Sequence, residues 1–399
     1  MLKIDKTVFK TRETILFILL FCAYVSISLF QIALTLFLIW EIYLFIKRQI
    51  KLSGIFKWPI VFVIFSTETS TLLYGRFKDF LDSLGMIFYN IAYFAKDAFT
   101  PSKTLFYNLN RFIVFFTGIE FIVTGYNVFV KHIEQPIWGG VFEIGVIFSL
   151  GSISALILFI VEEDKKYKFL YIVLFVSFSS FLFIAAKRNP LLGFSGSLFL
   201  VFYYFIRFKQ VDRKYIISGV VVVLSIFIFG TVYAFHKFPK YKIILNAIVQ
   251  KKPLTEEQLN RFSSSRWMIG KKGLQVIKKD IENKNIIPLL IGHGYASGYY
   301  LTPKSPVGRT YESVFLISEF IQKGLIGLIG VILMMIFYFK FVFKVRIKEI
   351  SDFYAVTFLV FPAYFLIGGI FSGIWDAVLP LYLLLFGISE NYFRERNES

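Results

Sequence analysis

A single cysteine, Cys22, among 399 residues rules out an intramolecular disulfide and a thiolate-held metal cluster. Histidine is nearly as scarce. His132, His236 and His293 are the whole complement, and no two of them sit at a metal-binding spacing, so no metal or other cofactor is expected. Acids are outnumbered, 26 Asp and Glu against 44 Lys and Arg, which leaves a net charge of +18. Charge of either sign is itself sparse at 18% of residues, and neither an internal repeat nor a low-complexity segment is present. These shortages exclude a disulfide-stapled domain, a zinc site and a repeat array.

Apolar residues are abundant: 57% of the chain is hydrophobic, 20% is aromatic, and the mean hydropathy is +0.67. A water-soluble core of this length has no room for so much apolar surface. The charges cluster in short runs between apolar stretches of roughly 17 to 25 residues, the length of one bilayer crossing. Lipid offers the backbone no hydrogen-bond partner, and the stretches lack the alternation of a barrel strand, so they read as helices. The basic excess lies in the loops between them, which speaks for membrane topology and against nucleic acid. Cys22, inside the first apolar run, reads as a small apolar filler. The basic start, Met1 to Arg12, resembles a signal n-region, but the apolar run from Ile15 to Ile46 is too long for one and has no small-residue cleavage site. An uncleaved, all-α, multi-pass membrane protein is expected.

That first run has basic flanks at both ends and is read as two tightly turned helices. Ten more are expected near 58–74, 80–95, 105–124, 137–161, 168–186, 191–206, 215–234, 313–340, 353–371 and 375–391, for a total of about twelve. The loops this assigns to the cytoplasm, at Lys165 to Lys168, Arg207 to Lys214, Lys340 to Lys348 and the Arg394 to Arg396 tail, are all basic. The division is 1–234 for helices one to nine, 235–311 for one large extracytoplasmic loop, and 312–399 for helices ten to twelve. The loop holds fourteen Lys or Arg against four acids, which long translocated segments tolerate. Within it, Thr255 to Gln258 opens a short helix as a capping box. Ser265 to Lys279 reads as an amphipathic helix anchored by Trp267, Leu274 and Ile277.

Four places combine residues that suit chemistry. Arg266 starts the amphipathic helix, where free amides and the helix dipole favour an anion such as phosphate; a snorkelling surface arginine is the blander reading. Gly292-His293-Gly294 allows a close backbone approach or a tight turn, with His293 either a base or a turn residue. Glu312, near Arg309 and Tyr311 at the mouth of the tenth helix, suits proton acceptance from a sugar hydroxyl or a plain ion pair. Lys187 and Arg188 end the seventh helix on the face where topology asks for no cations. Glu68, Asp97, Glu120 and Glu143 fall inside apolar segments and must face the bundle interior or water, as a proton path or as helix–helix hydrogen bonds.

Taken in order, Arg188-Asn189-Pro190-Leu191-Leu192-Gly193, Ser265-Arg266-Trp267, Gly292-His293-Gly294, Glu312-Ser313-Val314-Phe315-Leu316, Glu319 and Gly324-Leu325-Ile326-Gly327 resemble the O-antigen polymerase and ligase superfamily. The resemblance covers roughly 180–340 by motif and the rest by topology. It implies a GT-C glycosyltransferase in the cytoplasmic membrane of a bacterium. Such an enzyme polymerises undecaprenyl-diphosphate-linked oligosaccharide repeats into surface polysaccharide, without metal or nucleotide sugar. It also implies that Arg188 and Arg266 grip the diphosphate, that Glu312 assists the acceptor, and that Lys187, Arg309, His293, Gly292, Gly294 and Tyr311 contact substrate. Implied partners are membrane lipids, a chain-length regulator and a flippase. Ligases carry a histidine where this chain has Glu312, so a polymerase is the first expectation, with a ligase or a polysaccharide transporter as alternatives.

Overall fold

The computed structural model describes residues 6–184, 188–208, 253–309, 311, 314–371 and 373–398. The expected ninth helix at 215–234, the first part of the large loop, Lys187 and Glu312 lie outside the described residues, and Arg188 is described in its backbone alone.

Every regular element among the described residues is helical. The helices are α1 (Lys6–Val25), α2 (Ile27–Ile46), α3 (Lys57–Tyr74), α4 (Phe77–Met86), α5 (Lys103–Phe129), α6 (Val141–Val161), α7 (Lys165–Ile184), α8 (Arg188–Arg207), α9 (Glu256–Ser263), α10 (Arg266–Glu282), α11 (Ile286–Ile291), α12 (Phe315–Lys344), α13 (Phe353–Val360), α14 (Pro362–Gly368) and α15 (Leu379–Glu398). Among the described residues, seven segments are long and apolar enough to cross a membrane: α2, α5, α6, α7, α8, α12 and the stretch Ile350–Gly368. The 15–46 run is indeed two helices, divided at Ser26, whose hydroxyl caps the second.

Two expected continuous helices are interrupted. In place of one helix at 80–95, α4 ends at Met86 and a 3₁₀ stretch, Phe88–Ala98, follows. There the Asn90 amide donates to the carbonyls of Met86 and Ile87, competing with continued α-helix. Pro362, which has no amide hydrogen, separates α13 from α14 within the expected 353–371 helix.

The core is a continuous apolar cluster from α1 to α15, with Leu16, Phe30, Phe106, Phe148, Val201, Tyr338 and Leu384 at 0–1% exposure. Small residues let helices close in. A methyl on Gly193 would lie 2.4 Å from the Tyr364 carbonyl oxygen, which is how α8 comes to rest on α14. The apolar-segment acids all find local partners. Glu68 accepts from Ser83, Glu120 from the Ile137 amide and Glu143 from the Gly140 amide, while Asp97 accepts from Ser53, Lys96 and Asn391. Hydrogen bonding within the bundle thus engages each of them, although Glu68 Oε1 and Glu120 Oε1 stay buried without a partner.

The segment 253–309 is bound to the bundle. The Thr255 capping box forms as expected and starts α9. The amphipathic helix α10 also forms, but on a different face. Trp267 and Leu274 are exposed, at 46% and 54%, while Ile269, Gly270, Gly273 and Val276 are buried. The correction has a steric cause. Gly270 and Gly273 bring α10 onto Val314 and Ile317 of the α12 start, so the face with the glycines is the one that fits. Ile277 does pack against this small core.

Candidate active site

The site forms where α12 is broken. Gly324 (φ +61, ψ −165) is non-helical inside it. A break leaves carbonyls of the preceding turn without intrahelical donors. Four groups meet them: His293 N donates to the Ile321 carbonyl at 2.8 Å, Gly294 N to Gln322 at 3.0 Å, and Ser70 Oγ to Gln322 at 3.2 Å. Ser66 Oγ donates to the carbonyl of Lys323. Gly292 (φ +92) must be glycine here, because a methyl would lie 2.1 Å from the Gln322 carbonyl oxygen. The close approach allowed by the glycine pair is thus made to the chain's own α12.

His293 belongs to this splice. Its Nε2 meets Asp280 Oδ2 at 2.7 Å, and Asn285 Nδ2 donates to Asp280 Oδ1 at 3.0 Å, tying the turn to α10. Tyr311 is fully buried beside Ile269, Val276 and Ile321, and its hydroxyl donates to the Pro303 carbonyl. Burial pushes that phenol up to about 12, so it stays a neutral donor. Of the expected substrate contacts, Gly292, Gly294, His293 and Tyr311 are therefore placed in the scaffold around the site. Arg309 stays accessible: its guanidinium lies 3.4 Å from Tyr295 Oη and 3.9 Å from Asp82.

Beside the break lies a polar centre of which motif reading marked only Glu319, with no role assigned to it. Lys323 Nζ pairs with Glu319 Oε2 at 2.8 Å, and both side chains are almost fully buried, at 1% and 4% exposure. Trp375 Nε1 donates to the same Glu319 oxygen at 3.0 Å, and Lys323 lies 5.2 Å from the centre of the Trp375 ring. Such a pair is desolvated at a substantial cost, which marks it as a candidate for function. A Glu and a Lys four apart on a helix are ordinarily a surface pair, so only the fold distinguishes this one.

Four hollows with shared walls lie at and around this centre. One of about 110 Å³ is lined by Glu319, Gln322, Lys323, Tyr295, Phe315 and Trp375. Tyr295 and Met86 also line a groove of about 710 Å³ that carries Arg309 and Asp82 and runs along α2 past Gln31, Thr35, Leu38 and Ile42. Ile42 also borders an apolar recess of about 350 Å³ between α2 and α3. On the opposite side, Trp375 and Gly373 stand between the centre and a recess of about 60 Å³ bearing Asn189, Tyr364 and Asp376. Of the two helices expected to carry the cationic grip, α8, which begins at Arg188, lines the recess beside Trp375 through Asn189, and α10, which begins at Arg266, rests through Gly270 and Gly273 on Val314 and Ile317. Among the described residues neither helix lines the hollow at Lys323 itself. Arg266 is half-buried at the first position of α10, as anticipated.

Among the described residues no cluster of three His, Cys, Asp or Glu could hold a metal ion. No family model matches the chain. A protein of Aquifex aeolicus (strain VF5), described as an uncharacterized protein, is 33% identical over 386 residues, which span 96% of this chain and 98% of that protein. The chain belongs to the family of that Aquifex protein.

Proposed function

We propose that the protein is a membrane glycosyltransferase that lengthens a glycan carried on undecaprenyl diphosphate at the extracytoplasmic surface of a bacterial cytoplasmic membrane. Its frame is about a dozen membrane-embedded segments, with 235–311 as the large outer loop. The observation that carries this reading is the juxtaposition of a long, largely apolar groove along α2, with Arg309 in its wall, and a small polar centre at Lys323, the two sharing Met86 and Tyr295 as lining. A ligand with a polyprenyl tail, an anionic head and a hydroxylated extension suits that sequence of environments.

In this mechanism an acceptor sugar hydroxyl attacks the anomeric carbon of the carrier-linked glycan. The bond from that carbon to the diphosphate oxygen breaks with its electron pair, and undecaprenyl diphosphate departs. The hydroxyl proton passes to Glu312, the carboxylate that the resemblance puts at the acceptor. Charge grows on the leaving diphosphate; Arg188 and Arg266, which the resemblance assigns to it, together with Arg309 and Lys323, are the cations we assign to stabilise it. His293 is held by Asp280 in the scaffold, which supports a polymerase over a histidine-dependent ligase.

Arg266→Ala and Arg309→Ala test the grip without emptying the core. Removing one transition-state donor is expected to slow transfer by roughly 10²–10³-fold. In cells that make the polymer, each variant should accumulate single lipid-linked repeats and lose long chains on a gel. Wild-type chain lengths in both would remove the proposed grip.

A further inference from the structure

We infer that the recess bearing Asn189, Tyr364, Trp375 and Asp376 seats the sugar ring attached directly to the carrier's diphosphate; this rests on the glycosyltransferase reading. Asn189 is 8% exposed, and its Oδ1 has no hydrogen-bond partner. Asn110, another buried amide of the bundle, donates to two carbonyls and accepts from Thr357; Asn90 Oδ1 is unpartnered like that of Asn189 but lines none of the four hollows, whereas Asn189 faces one. A buried amide oxygen with nothing to accept is destabilising unless a donor enters from outside.

The other walls match a donor-rich ring. Asp376 accepts from the Val378 amide through Oδ1 and makes no bond through Oδ2 among the described residues. Trp375 is pinned by Glu319, with Lys323 near its ring, and also borders the Asn189 recess. An aromatic ring takes the C–H face of a sugar, while an amide and a carboxylate take its hydroxyls. Place and size narrow the occupant. The recess touches the Lys323 centre through Trp375 and Gly373, and about 60 Å³ accommodates the edge of one ring. The group next to a bound diphosphate in this geometry is its first sugar.

The test measures binding to purified protein in nanodiscs, using bare undecaprenyl diphosphate and carriers bearing a single N-acetylglucosamine, glucose or galactose. Wild type should bind at least one sugar-bearing probe roughly tenfold more tightly than the bare carrier, the worth of one or two hydrogen bonds. Asn189→Ala and Asp376→Asn should each abolish that difference and leave bare-carrier affinity unchanged. If wild type prefers no sugar, or both variants keep the preference, the seat is overturned and the functional reading stands. If wild type binds none of the probes, the functional reading fails and the seat fails with it.

Discussion

Lys323 and Glu319 form an ion pair with almost no access to solvent, so each holds the other's charge in place. Removing one member leaves an uncompensated buried charge, a loss of about 3–5 kcal/mol, whereas an apolar pair of similar volume can be nearly neutral. Lys323→Met should therefore lower stability by about that amount in a reversible denaturation of detergent-solubilised protein, and Lys323→Met with Glu319→Leu should recover most of it. A single variant as stable as wild type would show that the pair is not desolvated. Residue identities showed the cations of the loop but not this one. Their spacing is that of any exposed helical pair, and burial comes from Trp375, 56 residues from Glu319 in sequence. The Gly292-His293-Gly294 turn was legible as a close approach; its target, the carbonyls freed at Gly324, was not.

Between elements, the ties at the far end of α12 are electrostatic. Glu349, in the connector to α13, meets Lys103 at the start of α5 and Arg396 near the end of α15. The hydrogen bond from Lys103, then that from Arg396, holds the Glu349 carboxyl down at about 2. A folded value below the unfolded carboxylate range near 4.3 means the contribution is present above that range. It is lost as pH falls from about 5 towards about 2. Melting temperature should fall less steeply over that window in Glu349→Gln than in wild type; identical slopes would show that the tie contributes nothing. Because the carboxylate is exposed, a small effect that salt weakens is expected. Apolar length alone was enough to read most helix positions from sequence, as with Lys57–Tyr74 for the expected 58–74. The failures came from side chains whose effect depends on neighbours: Asn90 capping its own turn, Pro362 dividing a helix, and two glycines choosing the docking face of α10.

For the whole molecule, the expected sidedness rests on the basic loops, and the sequence supplies a convenient probe of it. The single cysteine, Cys22, is buried, so a new thiol at an exposed position is the only reactive one among the described residues. Lys278 on α10 has a side chain 75% exposed. In intact cells whose outer envelope has been made permeable, Lys278→Cys should react with a membrane-impermeant maleimide. Labelling only after lysis of the cytoplasmic membrane would place the loop inside and end the extracytoplasmic assignment. The bundle, its apolar spans and its loop helices were open to sequence because they depend on local pattern. The polar centre was hidden because it is assembled from α3, α12, the Gly-His-Gly turn and the segment before α15, and distance in sequence conceals such convergence.

In the function proposed above, this centre breaks the bond between a glycan and its diphosphate carrier. The most direct measurement follows the lipid-linked oligosaccharide extracted from cells that make the polymer, mixed with purified protein in liposomes and analysed by mass spectrometry. The account predicts release of undecaprenyl diphosphate together with carrier-linked glycans lengthened by whole repeats. Carrier and glycan that stay joined, with the intact molecule merely moved from one leaflet to the other, would contradict it and identify a transporter.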